Sequence, residues 1–267
     1  MQHAAYSRRG DFVSSGTLYL IPVGLGPGDS ALTHPPEVVR QLQALDYFIV
    51  ERAKTARADL KRYGHPRPLQ ELDIHELPES PDTAWLDAHL QAAKAGRNIG
   101  LMSEAGCPAV ADPGALVVRR AHHHGLRVVP LVGPSSLLLA MMASGLNGQS
   151  FAFHGYLPIA AAERTQRIQQ LEAESAQWQR TQLFIETPYR NAAMLDALLA
   201  ACKPETLLCV ATSLTTTDEW VMTRSIAQWK KAEKPDLDRR PSIFLLLASH
   251  VTRSASSAGA VPKHGRR

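Results

Sequence analysis

The chain has 267 residues, 45% hydrophobic and 20% charged, a globular composition long enough for two domains of moderate size. No apolar run approaches the ~18 residues of a membrane span, and the three cysteines (Cys107, Cys202, Cys209) are too few and too scattered for a disulfide framework or a zinc pattern. The net charge of +4 lies in the ends: residues 252–267 carry +4 and residues 1–15 carry +1, leaving 16–251 at −1, so net charge does not mark the body as a nucleic-acid binder. With no apolar leader and an odd cysteine count, the expected location is a reducing cytoplasm, with no membrane partner.

In chain order, residues 1–15 are polar and aperiodic and read as a flexible tail. Thr17 to Val23 reads as a strand, ending at Gly24-Leu25-Gly26-Pro27-Gly28-Asp29. A helix follows, with Pro35 and Pro36 at its start and Glu37 to Leu45 in its body. Asp46 to Glu51 reads as a strand, Ala53 to Tyr63 as a helix, Leu72 to Leu77 as a weak strand and Thr83 to Ala95 as a helix closed by Gly96. The strand at Asn98 to Met102 runs into Ser103-Glu104-Ala105-Gly106-Cys107-Pro108-Ala109-Val110-Ala111-Asp112-Pro113-Gly114, then a helix to His124. Arg127 to Val132 is a strand, followed by Gly133-Pro134-Ser135-Ser136 and a buried helix from Leu137 to Ser144. Strands alternating with helices imply a largely parallel sheet over residues 16–146.

The texture changes near Asn147. Phe151 to Leu157 alternates as a strand, Ala160 to Arg180 is a long polar helix, Gln182 to Thr187 a strand and Asn191 to Ala201 a helix. Leu207 to Thr212, Glu219 to Ile226 and Ile243 to Ser249 complete a second α/β layer, 147–250, with a mixed sheet. Residues 251–267 read as a basic disordered tail.

The Ser103–Gly114 loop is longer than an ordinary strand-to-helix turn and stiffened by glycine and proline. Loops at the carboxyl ends of parallel strands are where open α/β sheets bind ligands. The first glycine loop does not fit a dinucleotide fingerprint: its glycine spacing is wrong, and Pro27 delays the helix, although Glu51 could supply the acid. No Gly-Lys-Ser/Thr follows, which excludes a Walker loop.

At these loops the chain resembles the tetrapyrrole methylase superfamily, whose members use S-adenosylmethionine (SAM). Val23–Thr33, Ser103–Gly114 and Pro130–Leu146 resemble its first three motifs, and Phe153–Pro158, Leu183–Arg190 and Val210–Trp220 continue in the same order. The forms of the second and third motifs are nearest the branch that methylates a ribose 2′-hydroxyl of cytidine in small-subunit ribosomal RNA. The resemblance implies two α/β domains with SAM in the cleft between them, a homodimer, and an RNA substrate. By motif, it implies cofactor contacts at Pro27, Gly106, Cys107, Val110, Ser135, Ser136, Thr187, Ala211, Pro241 and Ser242. Departures from the RNA branch are Pro22–Asp29, Glu51-Arg52-Ala53-Lys54, and Ala211–Thr216, which lacks an Arg, a Glu and a Lys. A tetrapyrrole or other small acceptor, or a noncatalytic SAM-binding module, is the alternative.

A hydroxyl acceptor needs its proton removed. Glu186, Tyr156 and Glu104 are the candidates for that role, with Asp112 and His154 nearby in the motifs; for Glu104 and Asp112 the competing role is to bind loop amides. Strand alternation puts His154 and Tyr156 on one face. No metal cluster is expected, and His122-His123-His124 reads as a solvated helix face. Arg164, Arg167, Arg52 and Lys54 are candidate phosphate contacts.

Overall fold

The computed structural model describes residues 15–27 and 32–248. The expected tails, apart from Ser15, and positions 28–31 lie outside the described residues. Among the described residues two compact units emerge: one comprises those up to Ala143 together with Ala211–Trp220, the other Ser144–Val210 and those from Val221. The division falls at the last turn of a helix, and no shift of composition announces that Ala211–Trp220 belongs with the first unit.

The first unit has strands β1 (Thr17–Ile21), β2 (Tyr47–Val50), β3 (Asp73–Glu76), β4 (Ile99–Met102) and β5 (Arg127–Pro130), with helices α1 (Pro36–Gln43), α2 (Ala53–Arg62), α3 (Thr83–Lys94), α4 (Gly114–His123) and α5 (Ser136–Ser144). The sheet order is β3-β2-β4-β1-β5, and every pairing is parallel. The inner strands β1, β2 and β4 are near-continuous apolar runs because both faces are covered, whereas the edge strands carry Asp73, His75 and Glu76 (β3) and Arg127 (β5). Leu18, Ile49, Ile99 and Leu101 meet Leu86, Leu90, Val117 and Ala121 of α3 and α4. Ile21, Phe48, Val50 and Met102 meet Leu42, Ala56 and Leu60 of α1 and α2. The chain leaves β1 toward β2 on one side and leaves β4 toward β5 on the other, so the carboxyl ends of these neighbouring strands form a topological switch point, where such sheets bind ligands.

The second unit has β6 (Phe151–Tyr156), β7 (Thr181–Ile185), β8 (Leu207–Thr212), β9 (Trp220–Ser225) and β10 (Ser242–Leu247), with α6 (Ala161–Trp178), α7 (Asn191–Ala201) and the short α8 (Ile226–Trp229). Its order is β6-β7-β10-β8-β9; β6 and β7 run parallel, and β10 runs antiparallel to β7, which makes the sheet mixed. Phe184 and Phe244 stack at 5.9 Å, and Ile168, Leu171, Leu195 and Trp229 are buried in the same unit. Residue 226, expected to end a strand, instead starts α8, because Ser225 and Gln228 form a reciprocal cap.

Two further expectations are corrected. His154 and Tyr156 do not share a face: Phe153 pairs with Leu183 but Tyr156 with Ile185, so a bulge at His154-Gly155 breaks the alternation. Gly155, at φ +64°, supplies the left-handed residue the bulge needs. His124 is not a solvated histidine; its ring is mostly buried, with Nε2 2.5 Å from Asp87, which also takes a bidentate pair from Arg120. That pair, formed between α3 and α4, is what turns the last histidine of the run inward.

Candidate functional site

Three loops meet at the carboxyl ends of β4, β1 and β5. Val23, two residues beyond β1, exchanges backbone hydrogen bonds with Gly106 in the loop after β4 (N–O 3.0 and 3.2 Å). Gly106 has φ +70°, and a β-carbon there would lie 3.2 Å from Leu25 and 3.5 Å from the Pro134 carbonyl. All three loops therefore converge on one residue with no side chain. The Cys107 thiol donates to the same Pro134 carbonyl at 3.4 Å, and burial pushes this thiol's pKa up. Gly26 lies against Thr216, which brings in the segment that begins at Ala211.

The first loop is braced from below. The buried His34 bonds the Pro22 carbonyl at 3.0 Å, and the Tyr63 hydroxyl bonds His34 and receives the Gly24 N–H, each at 3.2 Å. Burial pushes the Tyr63 hydroxyl up to about 12, so it stays neutral and able to donate. Neither residue stands out in the sequence, because a tyrosine ending a helix and a lone histidine carry no motif.

The second loop is shaped by Asp112. Its Oδ1 accepts from the Ala109 and Gly114 amides at 3.0 and 2.6 Å, while Oδ2 is buried with no partner. Burial raises this carboxyl, opposed by the loop amides. Pro113 occupies the N-cap position of α4, yet Asp112 satisfies the first helical N–H, so its amide-binding role is realised. Ala109 and Ala111 adopt φ +68° and +62°, a conformation that costs ~1–3 kcal/mol in a non-glycine residue and clusters at ligand sites. Val110, between them, stays 48% exposed, and Val132 of the third loop 72%. Ser135 accepts the Leu139 amide through its carbonyl, and Ser136 opens α5, so this loop ends at a helix N-terminus, whose first amides have no partner within the helix. The donor set is therefore backbone amides, two serine hydroxyls and apolar walls. It fits a nucleoside carrying a carboxylate and does not fit a bare metal; no group of three or more ligating side chains occurs among the described residues.

Glu104 lies in the same loop. Its carboxylate is exposed and accepts from the Thr55 hydroxyl at 3.2 Å; its amide is held by Glu51 at 2.9 Å. Glu51 thus braces a loop and is not a free acid, and burial raises its carboxyl. Arg52 pairs with Glu76, while Lys54 is exposed.

In the second unit the antiparallel pairing of β7 and β10 brings Ile185 opposite Ile243. Glu186, Thr187, Pro241 and Ser242 therefore share one end of the sheet, and Tyr156, opposite Ile185, joins them. The Glu186 side chain is fully buried: its Oε1 accepts from the Thr187 amide at 2.6 Å and from the Arg190 guanidinium at 3.0 and 2.7 Å, while Oε2 is buried without a partner. Asn191, also fully buried, donates to the Leu237 and Arg240 carbonyls and to Ser242 Oγ at 3.3, 2.7 and 3.2 Å. It pins the approach to β10 onto the turn after β7. Sequence reasoning passed over Asn191; its place directly after the Leu183–Arg190 motif was the available signal. Arg167 bonds His154 and Glu174 within the unit, whereas Arg164 reaches the Ile159 carbonyl through Nη1 alone and its Nε has no partner.

The family model for Tetrapyrrole (Corrin/Porphyrin) Methylases matches residues 18–229, and the chain belongs to that family; it is a methyltransferase. It is similar to proteins named "Ribosomal RNA small subunit methyltransferase I" from Mesorhizobium japonicum (30% identity, covering 93% of this chain and 87% of that protein) and Escherichia coli O157:H7 (31%, 88% and 78%). The crystal structure of the methyltransferase CobJ has a like fold, with a TM-score of 0.57 at 18% identity over 92% of this chain and 97% of that one.

Proposed function

We propose that the protein is a SAM-dependent methyltransferase acting on a ribose 2′-hydroxyl of small-subunit ribosomal RNA, as a cytoplasmic homodimer. The observation that carries the cofactor is the convergence of the Pro22–Pro27, Ser103–Gly114 and Leu131–Ser136 loops on Gly106 at the switch point. The names of the relatives support the acceptor. When bound, SAM supplies a methyl carbon on a sulfonium, open to in-line displacement. In the first unit, Pro27, Gly106, Cys107, Val110, Ser135, Ser136 and Ala211 are the proposed contacts, mostly through backbone because Ala211 is itself buried. In the second they are Thr187, Pro241 and Ser242. Ser242 acts through its placement, since its hydroxyl is engaged with Asn191 and Arg240.

Among Glu104, Tyr156 and Glu186, Glu104 is the proposed proton acceptor. Its carboxylate meets one hydroxyl, whereas Oε1 of Glu186 already takes three N–H donors. Glu186 holds the Thr187 turn. The test is calorimetry with SAM, followed by transfer of labelled methyl to small subunits. One site per chain is expected, abolished by Ser135→Trp. Glu104→Gln is expected to keep the affinity and lower kcat by roughly a hundredfold. No binding at millimolar SAM sinks the cofactor. Binding without transfer to any acceptor leaves a noncatalytic SAM module, and transfer to a tetrapyrrole but not to RNA overturns the substrate.

A further inference from the structure

We propose that the end of the second sheet where β6 and β7 finish is a stacking platform for unpaired nucleobases, with Tyr156 and Tyr189 as its rings and Arg239 as its phosphate contact. It rests on the RNA reading above and names the part of the chain that would hold the bases.

Three observations carry it. The bulge at His154-Gly155 re-aims Tyr156. Without it, position 156 would follow His154, whose ring is half-buried and bonded to Gln182 at 2.6 Å; with it, Tyr156 stands 59% exposed opposite Ile185. Tyr189 is 80% exposed in the single-turn segment Pro188–Arg190, yet its backbone is held on both sides. The Arg190 amide bonds the Thr187 carbonyl at 2.9 Å, the Arg190 side chain is fastened to Glu186, and the next residue is the buried Asn191. Asn191 then fixes Arg239: it bonds the carbonyls of Leu237 and Arg240, and the Arg239 side chain between them is 80% exposed, 4.0 Å from Asp238.

Two exposed rings and one exposed guanidinium are therefore presented on stiff backbone at one sheet end. Every base offers a π-face, and base–aromatic stacking beside a cation is how single strands are held without sequence readout. An aromatic with two side-chain torsions on a fixed turn loses little entropy when a base covers it.

The test is binding of a fluorescent oligocytidylate and of small-subunit ribosomal RNA over a range of salt, with folding checked by thermal melting. Tyr156→Ala and Tyr189→Ala are each expected to weaken binding about tenfold and to leave the slope of log K against log salt unchanged, because a ring displaces no counterions. Tyr189→Phe is expected to bind like wild type, and Arg239→Gln to reduce the slope by about 1. Wild-type affinity in both alanine variants, or a changed slope, overturns the platform alone. Absence of RNA binding by the wild-type protein removes the RNA reading with it. Loss of self-association in the tyrosine variants assigns the face to a protein contact and likewise overturns the proposal.

Discussion

Gly133 shows how little space the third loop has. A β-carbon there would lie 2.3 Å from the Pro22 side chain, a distance no packing tolerates, and the clash is with a rigid ring. Gly133→Ala is therefore expected to destabilise the protein by about 3 kcal/mol, or to displace the first loop. Urea titration alongside SAM calorimetry checks it; wild-type stability with wild-type affinity would contradict the close approach. The glycine and proline spacing was legible as a stiff loop in the sequence. That Pro22 is the group Gly133 must admit was not, because the two residues are 111 positions apart and meet only through the β1–β5 pairing.

Among the elements, the parallel strands are tied at their amino ends by Arg97. It bonds Asp46 before β2 at 2.8 Å and Asp73 of β3 at 2.6 Å, and its guanidinium lies 5.0 Å over the Tyr47 ring. The Arg97 hydrogen bond holds the Asp46 carboxyl below its usual range, against burial and helped by Arg97 and Arg67 charge. A depressed carboxyl binds fewer protons in the folded than in the unfolded chain. Its contribution is thus present above the unfolded value, about pH 4, and fades as pH falls through the folded one. Arg97→Met is expected to cost ~1 kcal/mol at pH 7, an amount kept small by solvent screening, and less at pH 3. Urea melts at the two pH values test this; an equal loss at both would mean that only the packing on Tyr47 matters. The alternating strand and helix patterns announced these elements. Strand order, and so the meeting of Asp46, Asp73 and Arg97, came from packing.

At the scale of the whole molecule, α5 is apolar on every side, a pattern that implies a buried helix. Leu138 and Met142, one turn apart on it, remain 54% and 79% exposed. Side chains of that kind on one helix face suit a dimer contact, where obligate interfaces are large and apolar. Met142→Glu is expected to convert the proposed homodimer to a monomer at ~10 μM in sedimentation, with the fold retained. A wild-type monomer under the same conditions would remove the dimer, and an unchanged dimer in the variant would move the contact elsewhere.

The sequence alone determined the two α/β layers, the parallel and the mixed sheet, and the stiff loops that follow β1, β4 and β5. Those follow from hydrophobic period and from glycine and proline, which act within a few residues. Only the tertiary structure decided which polar groups are free. Arg190 takes Oε1 of Glu186, loop amides take Oδ1 of Asp112, His124 turns in to Asp87, and Asn191 joins two distant segments. It also decided that Tyr156 leaves the face its position implies, because a bulge depends on the register of a neighbouring strand. Hydrogen bonds and ion pairs form between whichever groups packing brings within ~3 Å, and local sequence carries no record of that partner.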